Sequence, residues 1–343
     1  MSRQLIGRAA FAHALLRGGS VATLMASAIG VVQFYRPAPA PVQPFAALAN
    51  RVSASPSLNA FGRSRAVQLR FALPGDTVEF PLQVNGDPST LAYQWTPVHD
   101  SIGTGLPQPL DGATFVAPST PGFYHLVLMH GSERQVLPEP TLAVMVPYAE
   151  KQRGSLNGYR IGTYLADRLR AHDRPEGFLE VRQADLDLHV SNHLRLGDFI
   201  THDDQRDVWP KYVALNPRIL DKIELVLDQI GQTAHLSHLV DGAPREVALD
   251  VHSGFRTPAH NRTVRHAARD SRHEYGDAAD VAIDANGDGR VTLTDEVLVA
   301  RAVDEVESAH PDLVGGMGLY ISRRYRTPYV HIDARGTRSR WKG

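Results

Sequence analysis

The chain has 343 residues, 43% of them hydrophobic and 21% charged, with a formal net charge of −1 and no cysteine. That length exceeds one ordinary domain, and the composition suits a globular protein with a sizeable core. The near-zero charge gives no footprint for nucleic acid, and the missing cysteines exclude thiolate ligands, a cysteine nucleophile and disulfides.

Arg3, Arg8 and Arg17 precede an uncharged run from Gly18 to Tyr35 that includes Val21, Leu24, Met25, Ile29, Val31 and Val32. A basic flank before an apolar run reads as a signal peptide or membrane anchor over residues 1–35. Arginines on the N-terminal side alone predict an exported body in the cell envelope or periplasm. Ala26-Ser27-Ala28 offers a cleavage site; without cleavage the inner membrane is a partner. Residues 36–60 open with Arg36-Pro37-Ala38-Pro39-Ala40-Pro41 and read as a stiff Pro/Ala-rich linker.

From 61 to 150 the pattern changes to short alternating runs such as Val67–Phe71, Thr77–Val84 and Tyr124–Leu128. Pro-Gly, Asn-Gly and Asp-Gly pairs separate them, which predicts a small all-β, immunoglobulin-like sandwich. Residues 151–190 read as a mixed connector. Asn216-Pro217 then opens a helix with apolar residues at 219, 220, 223, 226, 227 and 230 and a stop at Gly231. Glu246 to Val251 reads as a strand leading into Ser253-Gly254-Phe255-Arg256-Thr257-Pro258, and Thr294 to His310 as a second amphipathic helix.

His273 and Asp280 lie in a tract of small residues, Ser271-Arg272-His273-Glu274-Tyr275-Gly276-Asp277-Ala278-Ala279-Asp280, and Tyr329-Val330-His331-Ile332-Asp333 adds a second histidine. Two imidazoles and a carboxylate make an open zinc site whose fourth position is left to water. With sixteen histidines in the chain, no single one points to a metal. The order of the motifs carries the argument: Ser-Gly-Phe-Arg-Thr-Pro-x-x-Asn, then Ser-x-His-x-x-Gly-x-Ala-x-Asp, then His-x-Asp.

In this order the sequence resembles the M15 zinc peptidases, the D-alanyl-D-alanine carboxypeptidase and murein endopeptidase group. The likeness runs from His193-Leu194-Arg195-Leu196-Gly197-Asp198-Phe199 to near Gly336. It implies an α+β zinc D,D-peptidase-like domain of the hedgehog/DD-peptidase type over residues 191–343. It also implies that His273, Asp280 and His331 bind zinc, that Arg256 faces the substrate, and that the substrate is peptidoglycan stem peptide. Ser271 and His252 stand as donors behind the ligands. Several family members place an acid three residues before the last zinc histidine, where this chain has Pro328. Asp333, on the same strand face as His331, can reach the site or orient a ligand and is the expected general base, with Glu274 and Asp277 as the other candidates.

Asp284 to Asp295 follows a calcium-loop pattern. Oxygen-bearing Asp284, Asn286, Asp288, Thr292 and Asp295 take the ligand positions, Gly289 the turn, and Arg290 contributes its carbonyl. An aspartate at the last position resembles dockerin-type loops. The expectation is a lone structural Ca2+ site bracing the strand that presents Asp280. Taken together, the residues predict an envelope zinc D,D-peptidase using Zn2+ and Ca2+. The alternative is a catalytically silent wall-binding or scaffolding protein that keeps the fold, and a calcium-dependent adhesion protein is a third reading.

Overall fold

The computed structural model describes residues 52–54, 62–80, 82–100, 102–111, 114–169, 172–237, 247–321 and 327–343. The expected signal or anchor at 1–35 lies outside them, as does the linker apart from the short strand Val52–Ala54.

In the N-terminal part, β1 (Leu69–Ala72), β2 (Ala92–Pro97), β3 (Thr104–Pro109), β4 (Gly122–His130) and β5 (Glu133–Val144) form one sheet in the order β1-β5-β4-β2-β3. The β1–β5 pair is parallel and the other pairs are antiparallel. The run expected over 77–84 is two strands, Thr77–Glu79 and Leu82–Val84. Pro81 stands between them, and a proline has no N–H to give a ladder. Val78 and Phe115 pack with Tyr93, Trp95, Leu126 and Leu128 in a core of their own. Its aromatic rings meet edge to face, Tyr93 and Phe115 at 4.9 Å and Phe80 and Trp95 at 5.7 Å. The Trp95 indole N–H is satisfied by the Val116 carbonyl at 2.7 Å.

A second, larger core is built mostly from the residues that follow and also takes in Leu69, Phe123 and Ala143 of this sheet. The short sheet of β6 (Val146–Pro147), β7 (Gly177–Val181) and β8 (Lys211–Val213) contributes Val146, Phe178, Leu179 and Tyr212 to it. Tyr159 and Tyr164, from the segment read as a connector, are fully buried in the same core as the first long helix.

That helix, α1, spans Pro217–Ser237, and Asn216 Oδ1 accepts from the Arg218 amide at its start. Ile219, Leu220, Ile223, Val226 and Ile230 are buried as their spacing requires. The other long helix, α2, spans Leu293–Ala309 and opens on a capping box between Thr292 and Asp295. Both helices pack against one five-stranded sheet of β9 (Leu249–Ser253), β10 (Ala278–Ile283), β11 (Gly316–Tyr320), β12 (Tyr329–Asp333) and β13 (Ser339–Lys342). Its order is β9-β10-β12-β11-β13, antiparallel except for the β11–β13 pair. Val281, Ile283, Met317, Val330 and Ile332 share the core with the helices. Alternation along each strand sends Asp280 and His331 to the opposite face.

One buried cation ties these layers together. Lys222 on α1 donates to Glu307 Oε1 on α2 at 2.7 Å and to the Asp333 carbonyl on β12 at 2.7 Å. Its side chain has no solvent exposure. Removing it leaves a buried carboxylate and a carbonyl short of a partner. Lys222→Met is expected to lower stability by about 3 kcal/mol, read as a drop in the urea midpoint at constant m-value.

Candidate metal centre

The register of the sheet assembles the site. Asp280 on β10 faces His331 on β12, with Ser253 of β9 beside Asp280 and Gly318 of β11 beside His331. The third ligand comes from outside the sheet, on the single turn Arg272–Tyr275 that precedes β10. Gly276 ends that turn at φ 68°, and any Cβ there would collide with the backbone of Ala214. Its carbonyl accepts from the Asn216 amide at 2.8 Å, so the turn is docked onto the start of α1. The glycine of the motif is therefore a packing requirement.

Three donor atoms converge. His273 Nε2 lies 3.2 Å from Asp280 Oδ1 and 3.1 Å from His331 Nδ1, and His331 Nδ1 lies 2.8 Å from Asp280 Oδ1. All three residues are buried. Ligands about 2.0–2.1 Å from a tetrahedral zinc stand roughly 3.3 Å from one another. The trio has that chemistry and nearly that spacing, so it fits zinc.

Hydrogen bonds on the far side of each ring determine which nitrogen points inward. His273 Nδ1 bonds the Gly254 carbonyl at 2.6 Å, leaving Nε2 for the metal. His331 Nε2 bonds Asp333 Oδ2 at 3.2 Å, leaving Nδ1. This is the carboxylate–histidine arrangement that orients metal ligands.

The electrostatics divide the three. Burial would push the Asp280 carboxyl up, but His273 and His331 beside it hold it well below the usual carboxylate range. Burial lowers the His273 imidazole. For His331 burial acts in the same direction, yet the hydrogen bonds to Asp280 and Asp333 outweigh it and the imidazole is raised.

Arg256 is clamped at the edge of the centre. Its Nε donates to Ser253 Oγ at 2.7 Å, its Nη2 bonds Asp280 Oδ2, and its amide donates to the His273 carbonyl at 3.1 Å. Ser271 opens the ligand turn, its carbonyl accepting from the Glu274 amide. His252 is bonded to Asp250 at 3.1 Å and lies edge-on to Tyr329 at 5.5 Å, and neither partner is a ligand.

The carboxylates expected as bases are engaged. Asp333 has no exposure and accepts from the Gly316 amide at 2.7 Å, from the Arg335 amide at 3.1 Å, and from Arg335 Nε at 2.9 Å. Burial alone would raise its carboxyl, but His331, Arg335 and Gly316 hold it well below the usual range. A carboxylate so saturated is placed to orient a ligand and is a poor proton acceptor. Glu274, pushed up to about 7 by burial and by Asp270, accepts from Asn261 Nδ2 at 2.6 Å. Asp277 is paired with Arg272. Reading the sequence missed Arg335 and the Gly254 carbonyl, although the His-x-Asp-x-Arg spacing was a usable signal for the former.

In the loop 284–295, backbone amides occupy much of the oxygen ring. Asp284 accepts from Asp288 and Gly289, Asn286 from Asp288, Asp288 from Arg290, and Asp295 from Asn286 and Thr292. Among the described residues, the group whose ligand atoms converge as a metal requires is His273, Asp280 and His331.

Residues 238–303 match the Peptidase M15 family model. The match holds Arg256, His273 and Asp280 and ends before His331, which the strand register brings to the same centre. No curated protein matches the chain. The match, together with the buried His-Asp-His trio, is consistent with a metallopeptidase zinc site.

If Asp333 sets the orientation of His331, then Asp333→Asn, with the wrong donor pattern toward Nε2, weakens zinc binding by about 10–100-fold. Competition with a chromophoric chelator measures this, and unchanged affinity in a folded variant contradicts the assignment.

Proposed function

We propose that the protein is a zinc D,D-peptidase, a carboxypeptidase or endopeptidase acting on peptidoglycan stem peptides in the cell envelope. The observation that carries this reading is the convergence of His273 Nε2, Asp280 Oδ1 and His331 Nδ1 beside a clamped arginine. In that position zinc supplies Lewis acidity toward a carbonyl and acidifies a water. Asp280 and the two imidazoles would hold the metal, and Asp333 would keep His331 turned toward it without taking a proton. With Nε and Nη2 of Arg256 committed, Nη1 is left to meet a substrate carboxylate or a developing oxyanion. The basic and apolar N-terminal pattern supports export, where peptidoglycan lies. The N-terminal β-unit, read as an immunoglobulin-like sandwich, is a spacer or wall-binding module in this scheme.

Calcium in the loop 284–295 is part of the same proposal, supported by the ligand-position pattern and by the loop's direct continuation of β10. Asp284 and Asp295 would share the ion with Asn286, Asp288, Thr292 and the Arg290 carbonyl. Isothermal titration with Ca2+ is expected to show one site, and no heat in the metal-free protein would sink this part.

Two observations favour a silent wall-binding protein instead: Pro328 replaces an acid, and Asp333 is locked. The two readings part in a digest of purified peptidoglycan by zinc-loaded protein, read by mass spectrometry. Zinc-dependent loss of D-alanine or of cross-links, abolished in His273→Ala, is the expected result. Unaltered peptidoglycan that still sediments with the protein would establish the binder.

A further inference from the structure

Beyond the ligands, the metal face of the sheet carries an unbroken run of rings. Register places Trp341 of β13 beside Gly318 of β11, and Gly318 beside His331. A Cβ at Gly318 would collide with the indole, so the glycine lets Trp341 lean across β11 until its ring centre lies 5.1 Å from that of His331. The indole N–H is pinned by the Tyr320 hydroxyl at 3.1 Å. Tyr320 stacks on its cross-strand partner Tyr329 at 4.5 Å, and Tyr329 meets His252 at 5.5 Å. All three aromatic residues are half-buried, so each keeps some surface in solvent.

The two edges of this face differ in chemistry. Arg256 sits between β9 and β10, bonded to Ser253 and Asp280, and offers charge to an anion. Toward β11 and β13 the surface carries Tyr320 and Trp341, and Tyr329 joins them from β12, two residues before His331. Two strand spacings cover about 10 Å, the reach of about three extended residues. Aromatic walls with a few polar edges suit aliphatic side chains presented by an extended chain.

We infer that Trp341, Tyr320 and Tyr329 form the subsite for the acyl side of the scissile amide. A substrate peptide then crosses the sheet with its anionic leaving end at Arg256 and its preceding residues over the rings. This rests on the peptidase reading above and adds the direction and the length of chain that the site grips. The substrate class it selects is an extended peptide with aliphatic surface on up to three residues before the cleaved bond.

The test uses the acyl fragments, which carry no bond for a carboxypeptidase to cut. Calorimetric titration of zinc-loaded full-length protein compares N-acetyl-D-alanine with a tetrapeptide ending in D-alanine. The tetrapeptide is expected to bind about 10-fold tighter, the gain from covering one or two aliphatic groups. Trp341→Leu and Tyr320→Leu should bring the tetrapeptide down to the affinity of N-acetyl-D-alanine, with zinc content and affinity for the short fragment unchanged. Equal affinity for both fragments in the wild type overturns the inference, as does a parallel loss for both in the variants, which marks the rings as structural. Length-dependent binding in a protein that leaves peptidoglycan intact would keep the subsite and remove the catalytic reading.

Discussion

A carboxylate with almost no access to water, Asp280, is the constraint around which this site is arranged. Moving such a charge out of solvent costs several kcal/mol unless good partners surround it. Every neighbour supplies one: His331 from the facing strand, His273 from the turn before its own strand, and Arg256 from the turn after β9. A cation shared by Asp280, His273 and His331 would satisfy them together. Arg256 takes the remaining oxygen, so its placement is coupled to the ligand set.

The support continues outward in layers. Asp333 holds His331, Arg335 and the Gly316 amide hold Asp333, and Lys222 reaches the Asp333 carbonyl from behind. Glu307 joins Lys222 to Arg340 and to the Gly315 amide. Charge thus alternates through the sheet from the solvent side to the helices. Such a network is rigid because removing any member strands a buried group, and a rigid surround is what holds a ligand in one orientation.

Much of this was legible in the residues, for identifiable reasons. The two long helices announced themselves by an apolar period and, for α1, by an asparagine cap and a proline at the first position, although α1 runs past Gly231, where a stop was expected, to Ser237. The ligand trio could be read from the order of the motifs and the family they resemble, while the spacing of His273 and Asp280 by itself was weak. The role of Asp333 could not. Whether a carboxylate is a base or an orienter depends on who else bonds it, and its partner Gly316 arrives only through strand pairing. The division of Thr77–Val84 was readable in Pro81 and outweighed by the alternation around it. Tyr159 and Tyr164 belong to the main core although their segment shows no regular period, since irregular backbone can still be packed when side chains from elsewhere close over it.

Gly316 and Gly318 are conspicuous for what they leave out. On the metal face of β11 they contribute no side chain, the first making room for the Asp333 carboxylate and the second for the Trp341 indole. The strand next to His331 therefore acts as an aperture whose width is set by missing atoms. Even a methyl group at 318 would displace the indole away from His331, while the ligands themselves stayed untouched. Position 318 is thus a place where the shape of the cleft can change independently of its metal chemistry.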